Sequence, residues 1–239
     1  MTPRNPASVR ILVADELHPD GLELLRSKGF EPDVAVGLSE DELIQKLPGI
    51  EALLVRSATK VTAKVLAAAP DLVLVGRAGV GVDNVDLSVA STQGVVVMNT
   101  PTGNTVTTGE LAISLMCAVA RNITRADRRV RAGTWNKKGL LGTELTGKTL
   151  GIVGLGRIGR VVADRALGLS MKVVAHDPFL TTGASPVDGV ELLDLDQLLG
   201  RSDFVTLHMP LTDDTRNLIS RDRLALMKPG ARLINAARG

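Results

Sequence analysis

The chain has 239 residues, a length that suits one large or two modest domains. It is 44% hydrophobic and 23% charged with a formal net charge of +2, so it can bury a sizeable core and has no strong electrostatic pull toward nucleic acid or membrane. Aromatic residues make up only 2% and tyrosine is absent, which argues against modules that stack bases on aromatic platforms. No apolar run reaches transmembrane length, and residues 1–8 lack the apolar centre of a secretion signal. The single cysteine, Cys117, sits in an apolar helical run and is expected as a buried thiol. It has no intrachain partner, which fits a reducing cytoplasm.

The elements follow in chain order. Residues 9–14 predict a first strand, and residues 21–28 a helix stopped by Gly29. Residues 31–36 predict a second strand. Ser39 and Glu42 form a capping box for a helix whose buried stripe is Leu43, Ile44 and Leu47. Residues 52–55 predict a third strand, 62–69 a short helix, 72–75 a fourth strand, 86–91 a helix and 95–98 a fifth strand. This alternation reads as βα units on a parallel sheet covered on both faces. The cluster Asn99-Thr100-Pro101-Thr102-Gly103 is a candidate hinge.

Residues 106–123 carry the longest helical pattern, with Leu111, Leu115, Ala118 and Val119 as its expected buried side. Arg125, Arg128, Arg129 and Arg131 make residues 125–131 basic; with so small a net charge, a solvated helix face or a subunit contact is expected over a nucleic-acid patch. Trp135 is expected in an ordinary packing role.

The stretch from Thr149 to Gly159 reads as a buried strand, a glycine turn and the start of a helix, and Gly154, Gly156 and Gly159 fit G-x-G-x-x-G. Such a turn brings backbone N–H groups and a helix dipole against a pyrophosphate. Residues 160–169 continue the helix, and residues 171–175 predict a strand that leads to Asp177. Its distance from the turn is close to the ~20 residues expected for an acid that holds a ribose hydroxyl. Residues 190–192 predict an extended piece. Asp194 is expected to cap a helix at 195–199, and residues 204–207 predict a strand leading to His208-Met209-Pro210. Ser220 is expected to cap a helix at 221–227, and residues 231–234 predict the last strand, before Asn235-Ala236-Ala237-Arg238-Gly239. No metal-ligand cluster is visible: His18, His176 and His208 lie far apart without companion cysteines. All three are expected to be structural.

Ligands of open α/β sheets bind beyond the carboxyl ends of the strands. Arg56-Ser57, residues 77–81, residues 154–159, Asp177, residues 208–210 and residues 236–238 all sit at such predicted ends, which suggests a cleft between two domains.

The motifs Val55-Arg56-Ser57-Ala58-Thr59-Lys60-Val61-Thr62, Gly76-Arg77-Ala78-Gly79-Val80-Gly81-Val82-Asp83-Asn84-Val85-Asp86, Met98-Asn99-Thr100-Pro101, Gly154-Leu155-Gly156-Arg157-Ile158-Gly159-Arg160 and Asn235-Ala236-Ala237-Arg238-Gly239 resemble those of the D-isomer-specific 2-hydroxyacid dehydrogenases. The resemblance runs over nearly the whole chain. It implies an α/β fold of two doubly wound parallel-sheet domains. A flavodoxin-like substrate domain over residues 1–101 would precede a Rossmann NAD-binding domain over residues 102–239, incomplete at its carboxyl end. It implies an NAD-dependent oxidoreductase acting on a D-2-hydroxy acid. Gly154, Gly156, Arg157, Ile158 and Gly159 would hold the pyrophosphate and Asp177 the adenosine ribose, favouring NAD over NADP. Val80, Met209, Pro210, Ala236 and Ala237 would line the nicotinamide side. Arg238 would be the catalytic arginine, gripping the substrate carboxylate and also touching the cofactor. Arg56, Ser57, Gly79 and Asn104 would face the substrate. Arg77, and less directly Lys137 from a second subunit, would meet a phosphate, so a phosphorylated substrate is favoured over glyoxylate, hydroxypyruvate or 2-hydroxyglutarate.

The helical segment over residues 106–131 resembles the family's dimer-forming helices, so a homodimer or homotetramer is implied. The family completes its site with a glutamate and a histidine beyond the arginine motif. The chain ends before either, so weak NAD binding and little turnover are expected of this polypeptide alone. A non-catalytic NAD-sensing protein of the same fold is the alternative from a different class.

Overall fold

The computed structural model describes residues 5–180 and 185–237. Its contacts divide the chain into two units, Met1–Asn104 and Thr105–Gly239. In the first unit strands β1 (Ile11–Val13), β2 (Asp33–Val34), β3 (Ala52–Val55), β4 (Leu74–Arg77) and β5 (Val96–Asn99) form one sheet in the order β2-β1-β3-β4-β5. Every pairing is parallel. This is the flavodoxin-like order. Helices α1 (Pro19–Ser27), α2 (Glu40–Lys46), α3 (Ala63–Ala67) and α4 (Leu87–Thr92) make the crossovers.

Alternation along the strands separates two apolar layers. Leu12, Leu53, Val55 and Val75 join Leu43, Leu66 and Ala90 in the larger one, while Ile11, Val13 and Ala52 meet Leu22 and Phe30 in the smaller. The expected cover on both faces is incomplete at β5, where Val96 and Met98 are exposed.

In the second unit β6 (Thr149–Val153), β7 (Lys172–His176), β8 (Val190–Leu192), β9 (Phe204–Leu207) and β10 (Arg232–Asn235) form a parallel sheet in the order β10-β9-β6-β7-β8. Read from β8, this is five strands of the Rossmann order, with the strand order reversing beside β6. Helices α5 (Thr105–Ala120) and α7 (Arg157–Gly168) cover one face; α8 (Leu195–Arg201) and α9 (Arg221–Leu226) cover the other.

Several expectations are corrected. Strand β4 runs two residues later than predicted, because Gly76 and Arg77 pair with Met98 and Asn99 of β5. The helix predicted over residues 106–123 ends at Ala120: Asn122, with φ 54°, breaks the chain before α6 (Ile123–Arg131). The buried side of α5 is Gly109, Ala112, Met116 and Ala120, and Leu111, Leu115 and Val119 face outward. Close approach to α7 selects small residues: a Cβ on Gly109 would lie 2.6 Å from Val161 Cγ1. Cys117 is only partly buried. Trp135 is 83% exposed and does not pack into a core. Asp194 stands at the N-cap of α8, but its side chain accepts no capping hydrogen bond. Ser39 with Glu42, and Ser220, cap as expected.

Candidate functional site

The glycine turn follows β6 and opens α7. Gly154 has φ 94°, where an L side chain is strained, and a Cβ there would lie 2.9 Å from the His208 carbonyl carbon. Gly156 is the N-cap of α7, and a Cβ on it would meet nothing within 4 Å. The helix start receives no side-chain cap, which leaves its first N–H groups open to an anion. Gly159 is buried, and a Cβ on it would run into the Gly154 carbonyl oxygen. The three glycines thus divide the work of turning the chain, leaving space for a ligand and packing helix on strand. Arg157 is exposed and Ile158 half-buried on the first turn. Arg160 ties the loop from behind, donating from Nε to the Leu155 carbonyl at 3.2 Å.

Parallel register brings the other strand ends to the same edge. Val153 of β6 pairs with His176 of β7 and Leu207 of β9, and Leu207 pairs with Asn235 of β10. Beyond β7, the Asp177 carboxylate accepts from the Leu155 N–H at 2.9 Å and from the Phe179 N–H at 3.0 Å. The acid is thereby locked to the glycine turn. Next to it, His176, Asp177, Leu192 and Asp194 help line a cavity of about 280 Å³. Met209 is half-buried and Pro210 exposed beyond β9; Ala236 and Ala237 are half-buried beyond β10. Arg238 lies outside the described residues.

Each histidine makes a hydrogen bond within its own unit. His18 caps α1, accepting from the Asp20 N–H at 3.4 Å, and His176 Nδ1 is 3.0 Å from the Leu193 carbonyl. His208 Nε2 lies 2.9 Å from Thr206 Oγ1, while its Nδ1 is buried without a partner. Burial pushes its imidazole down from 6.5 to about 4. It is neutral at pH 7.

In the first unit, Arg56 and Ser57 are exposed directly after β3. Arg56 donates from Nη1 to the Glu16 carbonyl at 3.2 Å. Arg77 ends β4; its guanidinium lies over Gly79, and its buried Nε has no partner. Val80 is half-buried, with its carbonyl held by Asn99 Nδ2 at 2.7 Å. Asn104 and Lys137 are exposed, Lys137 in the second unit. Sequence reasoning missed the residues that fasten this edge. Asp15, only 5% exposed, accepts from the Arg56 N–H at 2.6 Å and from Thr59 Oγ1 at 2.7 Å. Burial alone would lift its carboxyl; hydrogen bonds from Thr59 and from the Arg56 N–H outweigh that and hold it below the usual carboxylate range. Asn84 and Asn99 are the others. The available signal was an acid immediately after an apolar strand.

Comparison with known proteins places this geometry. Residues 113–239 match the NAD binding domain of the D-isomer specific 2-hydroxyacid dehydrogenases. The solved TT0316 protein from Thermus thermophilus is 39% identical, with a TM-score of 0.87, over 97% of this chain and 74% of that one. The chain belongs to the D-isomer specific 2-hydroxyacid dehydrogenase family. A D-3-phosphoglycerate dehydrogenase from Archaeoglobus fulgidus is 47% identical over 97% of this chain. The match covers 44% of that protein, so the chain spans less than half the length of such a relative. An NAD-dependent formate dehydrogenase from Staphylococcus aureus, solved in complex with NAD, is 29% identical with a TM-score of 0.84, covering 96% of this chain and 73% of that one.

The second unit fits the dinucleotide of this family. Open space at Gly156, an uncapped helix start and a carboxylate fixed 2.9 Å from the turn are what a pyrophosphate and a ribose diol require. The described residues contain no group of three or more His, Cys, Asp or Glu able to hold a metal ion. No helix among them is long and apolar enough to cross a membrane.

Proposed function

We propose that the protein oxidises 3-phospho-D-glycerate to 3-phosphooxypyruvate, the first step of L-serine biosynthesis, and that this chain supplies its substrate-binding and NAD-binding parts. The observation that carries the reading is the 47% identity to a named D-3-phosphoglycerate dehydrogenase across 97% of the chain.

The chain's residues divide the work. Backbone N–H groups at Arg157 and Ile158 hold the pyrophosphate, and Asp177 takes the ribose hydroxyls. A carboxylate there repels a 2′-phosphate, which favours NAD over NADP. Met209, Pro210, Ala236 and Ala237 line the nicotinamide side. Bound NAD supplies the hydride acceptor. Arg238 grips the substrate carboxylate with a planar two-pronged donor and stabilises charge on the reacting oxygen. Arg56, Ser57, Gly79 and Asn104 face the substrate, with Arg77 as a cation for its phosphate and, less directly, Lys137 of a second subunit.

Leu111, Leu115 and Val119 form an exposed apolar stripe on one side of α5. We infer that it takes a second copy of the chain; sedimentation equilibrium reads this directly.

Titration of the chain with NADH and then with 3-phosphoglycerate tests the reading. Binding of NADH over NADPH, with 3-phosphoglycerate preferred to glyoxylate and 2-hydroxyglutarate, is expected. Equal affinity for the unphosphorylated acids would remove the phosphate assignment.

A further inference from the structure

Two side chains outside the proposed substrate contacts converge on the turn that presents Arg56 and Ser57. Asp15 lies immediately beyond β1. Its carboxylate accepts from the Arg56 N–H at 2.6 Å, from the Thr59 N–H at 3.1 and 3.2 Å and from the Thr59 hydroxyl at 2.7 Å. From the other side, Asn84 spends both hydrogens of its carboxamide on the same turn. Nδ2 donates to the Arg56 carbonyl at 2.7 Å and to the Thr59 carbonyl at 2.7 Å. The Asn84 carbonyl accepts the Val61 N–H at 2.8 Å, so the turn is fastened at its exit as well. Glu16, next to Asp15, holds the Arg56 head group through its carbonyl at 3.2 Å.

We infer that Asp15 and Asn84 are positioning residues for the substrate, a two-sided clamp on residues 56–59 that fixes where the Arg56 guanidinium and the Ser57 hydroxyl are presented. The inference rests on the reading that Arg56 and Ser57 face the substrate. Chemistry explains the choice of residues. The turn offers N–H donors on one side and carbonyl acceptors on the other. A buried ionised carboxylate accepts the first set through charge-assisted bonds, and a carboxamide donates to the second. Exposed Arg56 and Ser57 have no burial to order them, so their backbone must be held from below. A carboxylate this buried is also costly unless its donors stay in place, which makes a loosened turn unfavourable. Neither Asp15 nor Asn84 needs to touch substrate or cofactor for this.

The test uses Asp15→Asn and Asn84→Asp in the full chain, read by amide hydrogen exchange and by ligand titration. Asp15→Asn places an amide donor against backbone donors, and Asn84→Asp removes both donated bonds while keeping the shape. Exchange at Arg56 and Thr59 should rise at least about tenfold, with β3 amides unchanged. Affinity for 3-phosphoglycerate should fall by at least about tenfold, the scale of losing one charge-assisted hydrogen bond. NADH affinity should stay within about twofold, since the glycine turn lies in the other unit. Thr59→Ser, which keeps the hydroxyl, should behave as wild type. Where Asp15→Asn unfolds the first unit, Thr59→Ala removes only the hydroxyl donor and carries the same expectation. Unchanged exchange at residues 56–59 overturns the clamp. Faster exchange with unchanged 3-phosphoglycerate affinity overturns the positioning role. A wild-type chain that binds NADH but no D-2-hydroxy acid overturns the functional reading, and the positioning role falls with it.

Discussion

Replacing His208 with glutamine should remove a step in the acid stability of the second unit. The folded imidazole titrates near 4, held there by burial, against 6.5 for the ordinary group. Between those values the unfolded chain carries a proton that the folded chain does not. Stability is therefore full above about pH 6.5 and falls as the pH drops toward 4. At ~1.4 kcal/mol for each tenfold difference in proton affinity, the whole window is worth about 3 kcal/mol, of which about 2 is lost between pH 7 and pH 4.5. Glutamine does not titrate and can still reach the Thr206 hydroxyl that now lies 2.9 Å from Nε2. Asp15 and Asp203 do not blur the comparison, because both are held below 3.8 and their stabilisation is lost only at lower pH. Urea denaturation followed by circular dichroism at pH 7, 6, 5 and 4.5 measures the loss. Hydrogen exchange of β6 and β9 amides assigns it to the second unit. Wild type should lose about 2 kcal/mol more than His208→Gln across that range. Parallel curves for the two proteins would refute the reasoning.

Gly154→Ala should weaken NADH binding at least about tenfold and destabilise the second unit by about 1–3 kcal/mol, because a residue other than glycine is strained there and its Cβ meets the backbone just past β9. Fluorescence titration and thermal denaturation check both, and an unchanged affinity would separate the turn from the cofactor. Leu115→Lys, at a position 39% exposed on the outer stripe of α5, should shift sedimentation to the monomer without changing the circular dichroism spectrum. An unaltered dimer would place the contact elsewhere.

The elements that were legible in the sequence are those decided by local patterning. Strands at Ala52–Val55 and Phe204–Leu207 fall where short apolar runs predict them, and the parallel α/β fold follows from the alternation. The face of α5 was not legible. Hydrophobic ranking picks the large side chains, whereas two helices in close contact select the small ones, and here the small ones win. The break at Asn122 was missed for a related reason. A single asparagine in the left-handed region satisfies a turn, yet it interrupts no apolar period. The two-residue shift of β4 has a similar cause: a glycine ends an apolar run in the sequence, yet Gly76 is a paired strand residue.

The candidate site divides along the same line. The glycine turn and Asp177 are a local device: strand, turn, helix and acid within one βαβ unit, so spacing alone reveals them. Every strand of both sheets is parallel to its neighbours, so residues just past strand ends gather on one edge of each sheet, and Arg56, Arg77 and Met209 could be singled out without knowing the register. What they are fastened to could not: an acid after an apolar strand marks Asp15, but not which turn it holds. The bond from the Arg56 N–H to Asp15 crosses 41 residues and the one from Asn84 to the Arg56 carbonyl crosses 28. No period or spacing in the chain encodes these pairs, because each depends on which strands become neighbours. A site of this kind therefore announces the groups that would meet ligand and conceals the groups that position them. It is in the second set that substitutions should alter substrate affinity without touching a substrate atom.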